Sequence, residues 1–188
     1  MYQIAISGAA KGESVEEGKV LASEMGEALA KAGHSLLTGA TVGLPNYAAM
    51  AYKQAGGKMS VGISPASSKV EHVLKYRLPT EAYDTIIYCG LHYIGRDTLL
   101  ITSSDAVLSI GGRLGTLHEF TIAVESYTPI GFLQGAGGIS QEIQTLLSLA
   151  QPLRESTEIL FNDSPEGLIA DMTHLLDKMH GRYKKLYY

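Results

Sequence analysis

Short apolar runs alternate with small-residue loops and longer amphipathic stretches along the whole chain. Gln3-Ile4-Ala5-Ile6-Ser7 is too short for a helix and empties into Gly8-Ala9-Ala10-Lys11-Gly12, so it predicts a strand and a ligand-sized loop. Residues 15–32 then show helical spacing, with Val20, Leu21, Met25, Ala28 and Leu29 on one face and Gly33 as the stop. A second strand follows at 34–38 and a glycine loop at 39–44. Pro45 stands at the first position of a helix continuing through 46–55, where its missing N–H is harmless, and Gly56-Gly57 ends it before a third strand at 58–63. This β-α-β-α-β order implies parallel strands joined by right-handed crossovers.

The second half repeats the pattern less evenly. Residues 64–79 are polar and contain Pro65; they predict an excursion over one edge without regular structure. A strand at 84–89 places Cys89 at the end of a buried strand, and Gly90 breaks it. Residues 93–103 predict a helix with Ile94, Leu99, Leu100 and Ile101 partly buried. Asp105, where a carboxylate can cap neighbouring backbone, opens the strand 106–110. A helix at 116–126, a strand at 129–133, a glycine-rich exit at 134–138, a helix at 139–150 and a strand at 158–161 follow. Ser164-Pro165-Glu166 opens the closing helix with a serine cap, and residues 182–188 form a basic, aromatic tail. The expected architecture is α/β, with a mainly parallel sheet flanked by helices, one domain over 1–181, and the tail beyond it.

Composition narrows the function classes. A chain of 188 residues can bury one substantial core. Its net charge of −4 argues against broad phosphate neutralisation, so nucleic acid is not the expected partner. The single cysteine can form no internal disulfide and has no partner at metal-ligand spacing, so no metal site is expected. The start lacks a basic leader and no run approaches eighteen apolar residues; with a free thiol, this reads as a cytoplasmic protein without a membrane partner.

The chemistry gathers after strand 106–110. Gly111-Gly112-Arg113-Leu114-Gly115-Thr116-Leu117-His118-Glu119 runs from a strand through a tight turn into a helix N-terminus. Free amides and the helix dipole there attract an anion, and glycine lets a ligand approach the main chain. Glu119 has two readings: it closes a capping box with Thr116, or it points into the site. All four glycine-rich loops follow strands, so they converge on the carboxyl edge of a parallel sheet, where such sheets bind ligands. The first loop lacks the G-x-G-x-x-G fingerprint, and Gly57-Lys58 is followed by Met59, so there is no P-loop. By residue type alone Arg96 reads as a solvated surface charge and His92 as a helix-terminal polar group.

Over nearly its whole length the chain resembles the Rossmann-like superfamily of the Lonely Guy phosphoribohydrolases ("possible lysine decarboxylase") and the molybdenum cofactor carrier proteins. The carrying residues are Thr38-Gly39-Ala40-Thr41-Val42-Gly43-Leu44, Arg96, Ser104-Asp105-Ala106 and the 111–119 motif, similar to P-G-G-x-G-T-x-x-E. The resemblance implies a three-layer sandwich and a homodimer or higher homo-oligomer. The apolar Leu99, Leu100 and Ile101 suit such pairing or a core equally. It also implies a phosphorylated small molecule held by Gly8, Gly39, Gly43, Gly111, Gly112, Arg113, Gly115 and Thr116. Glu119 would then stabilise an oxocarbenium-like ribose or activate water, and Arg96 would orient the sugar-phosphate or the departing base. The reaction would release free base and ribose 5-phosphate from a nucleoside 5′-monophosphate, with no cofactor or metal. The alternative is a carrier or sensor of a nucleotide-like or molybdopterin-type ligand.

The chain departs from the hydrolase motif in three ways. Gly111 replaces proline and Arg113 replaces the second glycine, a G-G-x-x-G-T-x-x-E form that looks closer to the carrier branch, and Thr38 and Ala40 replace glycines of the earlier loop. Arg113 either adds a cation to the phosphate seat or crowds a pocket that the hydrolases leave open. The decarboxylase label has little behind it, because Lys11, Lys53, Lys58 and Lys69 offer no context for a Schiff base. Single-stranded DNA binding fits poorly with the acidic balance and the missing basic-aromatic stripe.

Overall fold

The computed structural model describes residues 1–149 and 158–181, so the tail 182–188 and the last residue of the 139–150 helix lie outside the described residues. In chain order the elements are β1 (Gln3–Gly8), α1 (Glu13–Lys31), β2 (Ser35–Thr38), α2 (Leu44–Gln54), β3 (Ser60–Ser64) and β4 (Thr85–Tyr88). They continue with α3 (His92–Thr102), β5 (Ala106–Ile110), α4 (Leu114–Ser126), β6 (Ile130–Leu133), α5 (Ile143–Leu149), β7 (Ile159–Asn162) and α6 (Pro165–His180). The strands form one sheet in the order β4-β3-β2-β1-β5-β6-β7, and every described pairing is parallel. The predicted Rossmann-like α/β sandwich is therefore the fold.

Period-two alternation divides the core between the two faces of the sheet. Ile4, Ile6, Leu108 and Ile110 face α1, α2 and α6, packing with Met25, Leu29, Tyr52, Leu168 and Met172. Ala5 and Val107 point the other way, to Leu100, Ile101, Phe120 and Ala123 of α3 and α4. Leu100 and Ile101 are fully buried there, so they serve the core and not an interface. Ser7, two residues past Ala5, inherits this second face and looks toward α4. The chain builds outward from β1 to β4, then returns to place β5 on the other side of β1. That reversal opens a crevice at the carboxyl ends of β1 and β5.

Several local readings change. Helix α1 starts at Glu13, and Val20 is 66% exposed, because the buried stripe is made largely of small residues. A Cβ on Gly26 would stand 2.0 Å from the Ala48 carbonyl oxygen, so this stripe is shaped for close approach of α2. Ile94 is exposed on α3, since Arg96 and Leu100 take the inward face. Strand β4 is an edge strand with alternately exposed residues, and Cys89 beyond it is only half-buried, its thiol donating to the Ser64 carbonyl. The 64–79 excursion is ordered around buried His72, which bonds Ser64 Oγ at 2.8 Å and the Pro79 carbonyl at 3.0 Å, with a π-helical turn at Glu71–Lys75. Part of the 139–150 helix is a 3-10 turn, Gly138–Gln141. Ser164 caps α6 as read, accepting from the Gly167 amide at 2.9 Å. No helix among the described residues is long and apolar enough to cross a membrane.

Candidate functional site

Three strand exits shape the site. Strand β1 delivers Ser7 and Gly8, β2 delivers Gly39, and β5 delivers the turn that starts α4. Helix α4 begins at Leu114, two residues before the sequence reading, with Arg113 in extended conformation at its N-cap and no side-chain cap bond. Thr116 is thus the third helical residue and closes no capping box. Glu119 turns inward: it is 7% exposed, and its Oε2 accepts a short hydrogen bond from Ser7 Oγ.

Arg96 is not the solvated charge its type suggests. It is 6% exposed, with Nη1 3.5 Å from Glu119 Oε1 and Nη2 3.1 Å from Asp97 Oδ1. Glycine at 39 makes this possible, since the three atoms nearest to a Cβ built there all belong to the Arg96 guanidinium. Asp97 Oδ2 in turn lies 2.9 Å from His118 Nδ1. Burial pushes the Glu119 carboxyl up to about 7, with Arg96 opposing, Asp97 adding, and the Ser7 hydrogen bond and His118 opposing more weakly.

These groups floor a cavity of about 400 Å³, within the roughly 300–1,000 Å³ of ordinary small-molecule sites. Of the residues singled out in the sequence, Gly8, Gly39, Arg96, Arg113, Gly115, Thr116 and Glu119 line it together. Gly43, Gly111 and Gly112 are not among the lining residues; each holds positive φ in a turn behind it. The Gly111 and Gly112 carbonyls accept from Ser140 Oγ and the Ile139 amide, so the fourth glycine loop braces the β5 turn from behind. His92 does not line the cavity and bonds the Tyr76 hydroxyl.

Sequence reasoning missed Lys11, Tyr93 and Asp97 on the cavity wall and Ser7 beside Glu119. Two of them had a signal available: Asp97 adjoins Arg96, and Lys11 lies in a strand-exit loop. Lys11 and Arg113 are exposed at the mouth, and among the described residues neither has an ion-pair partner. The mouth is therefore cationic and adjoins the free amides of the α4 N-terminus, whereas the floor holds an arginine between two carboxyls. Among the described residues no group of three or more His, Cys, Asp and Glu is placed to hold a metal ion.

Known proteins share this framework. The X-ray structure of TM1055 superposes with a TM-score of 0.81 at 24% identity, covering 93% of this chain and 99% of that one. A molybdenum cofactor carrier protein of Chlamydomonas reinhardtii superposes at 0.75 with 27% identity, covering 94% and 98%. The molybdenum cofactor binding protein of Rippkaea orientalis gives 0.71 and 27%, covering 93% and 96%. An uncharacterized protein of Archaeoglobus fulgidus is 33% identical over 125 residues, 66% of this chain and 75% of that protein. The sequence model of the SLOG cluster4 family matches residues 1–169, in agreement with the superfamily resemblance carried by the 111–119 motif, and the chain belongs to that family.

Proposed function

We propose that this protein binds a nucleoside 5′-monophosphate in the β1–β5 crevice and hydrolyses its N-glycosidic bond. The observation that carries the proposal is a buried carboxyl, Glu119, paired with Arg96 on the floor of a cavity whose mouth is cationic. The phosphate sits at the start of α4, against the amides of Gly115 and Thr116, with Arg113 and Lys11 as counter-charges. Gly8 and Gly39 keep the strand exits low beneath the sugar, and Gly43, Gly111 and Gly112 hold the turns in shape. Glu119, with a proton affinity near neutrality, takes a proton from water as that water attacks C1′. The C1′–N bond breaks as the hydroxyl bonds to C1′, solvent protonates the departing base, Glu119 returns its proton to solvent, and ribose 5-phosphate remains. Arg96 keeps Glu119 ionisable and orients the departing base, whose developing charge is negative. No cofactor is needed for this reaction.

The second reading is a carrier or sensor that holds a nucleotide-like or molybdopterin-type ligand without turnover. It is favoured by the solved carrier and binding proteins at 27% identity. Arg113 at the cavity mouth, where the hydrolase motif has glycine, also supports it. Incubation with a panel of nucleoside monophosphates, scored by chromatography, separates the two. Base release that vanishes in Glu119→Gln supports hydrolysis; no release, with nucleotide still raising the melting temperature, moves the assignment to the carrier.

A further inference from the structure

Two neighbours on α3 face two neighbours on α4. Arg96 meets Glu119, Asp97 meets His118, and Arg96 also pairs with Asp97, so one run of contacts extends from His118 to Ser7. The proposed function uses only Arg96 and Glu119. Asp97 is 6% exposed, and its Oδ1 lies within ion-pair reach of Arg96 without a hydrogen bond of its own. Its hydrogen bond joins Oδ2 to His118 Nδ1 at 2.9 Å. Arg96 Nε is likewise unpartnered. A guanidinium with a free edge and two carboxyls in reach is shared between them according to how firmly each is held elsewhere.

We propose that Asp97 and His118 are positioning residues: together they set how the charge of Arg96 is divided between Asp97 and Glu119, and so the form in which Glu119 meets a ligand. The inference rests on the proposed function only in concerning the same carboxyl. Glu119 is faced by Ser7 from β1, by Arg96 and Asp97 from α3, and by His118 from its own helix, with Lys11, Tyr93 and Arg113 on the same cavity. Tyr83, bonded to Thr38, lies in the field of Arg96. Asp97 is the like charge in this set. Neutralising it leaves Arg96 to Glu119 alone. Removing His118 makes Asp97 lean on Arg96, which starves Glu119.

The test is a carboxyl ¹³C NMR titration of the full chain labelled at glutamate, with Glu119→Gln identifying the signal. Asp97→Asn lowers the Glu119 midpoint and His118→Gln raises it, each by about one pH unit. In the double variant the midpoint stays with that of Asp97→Asn, because His118 acts through Asp97. Shifts of the same sign, no shift, or simple additivity overturn the proposal. If Asp97→Asn fails to fold, Asp97→Ser takes its place in the same cycle, because His118→Gln alone also removes the direct field of His118 on Glu119. Opposite shifts without base release would sink the hydrolase reading alone; base release with unmoved midpoints would sink this inference alone.

Discussion

Gly39→Ala tests whether the site depends on one missing Cβ. Gly39 is not in the left-handed region, so alanine brings no backbone strain there. A Cβ would, however, stand 1.7 Å from Arg96 Nη1 and 2.3 Å from Cζ, where ordinary contact begins at 3.4 Å. The guanidinium must retreat by roughly the difference, close to 2 Å, which is enough to break its contacts with Glu119 and Asp97. Removing a partner from a buried ion pair costs about 3–5 kcal/mol, and a displaced arginine that recovers some hydration costs less, so this range is the upper bound. The cost is read from urea unfolding in a double-mutant cycle with Arg96→Ala. If the loss runs through Arg96, at least about 1 kcal/mol of it disappears once Arg96→Ala is already present. An undiminished cost in that background would refute the reasoning, and Gly39 would matter for the strand exit itself.

Glu119→Gln changes stability in a pH-dependent way. The folded pKa of about 7 lies above the ordinary 4.5, so between those values the folded chain holds a proton that the unfolded chain has released. Stability therefore falls as pH rises through that window, by about 3 kcal/mol in all. The glutamine variant gains on the wild type by that order between pH 4.5 and 8 in urea titrations, and parallel curves would contradict the assignment. Arg113→Ala weakens nucleoside monophosphate binding roughly tenfold, about 1.4 kcal/mol by calorimetry, and leaves the unphosphorylated nucleoside unaffected. Equal losses for both ligands would remove Arg113 from the phosphate.

Much of the fold was legible because β1, β2 and β5 are short apolar runs closed by glycine, a signal that does not depend on partners. That the glycine loops meet at the carboxyl edge followed from parallel order alone; that the crevice opens between β1 and β5 rests on the strand order, which no local pattern encodes. What escaped has a common physical cause: burial decided by something far away in sequence. Arg96 is buried because Gly39, 57 positions earlier, has no side chain; nothing on its own helix announces this. Val20 and Ile94 were misplaced because small residues and an arginine, not large apolar ones, mark the inner faces of α1 and α3. Thr116 and Glu119 have capping-box spacing, yet α4 starts two residues early, which leaves Glu119 free to meet Ser7. His72 orders the 64–79 excursion through bonds to Ser64 and Pro79 that no periodicity encodes.

The layout of charge favours one ligand orientation. On the floor, Arg96 is already shared between Asp97 and Glu119, so a phosphate pushed there would meet two carboxyls and only one cation. At the mouth the situation is reversed: Lys11 and Arg113 have no ion-pair partner among the described residues, and the α4 amides face the same space. Desolvating a phosphate is tolerable only where charge-assisted donors replace its water. For the proposed nucleotide this layout predicts entry with the uncharged end leading and the anion left at α4. In that proposed pose Glu119 meets the uncharged part of the nucleotide and not its phosphate, which is where the proposed hydrolysis needs a carboxyl of near-neutral proton affinity.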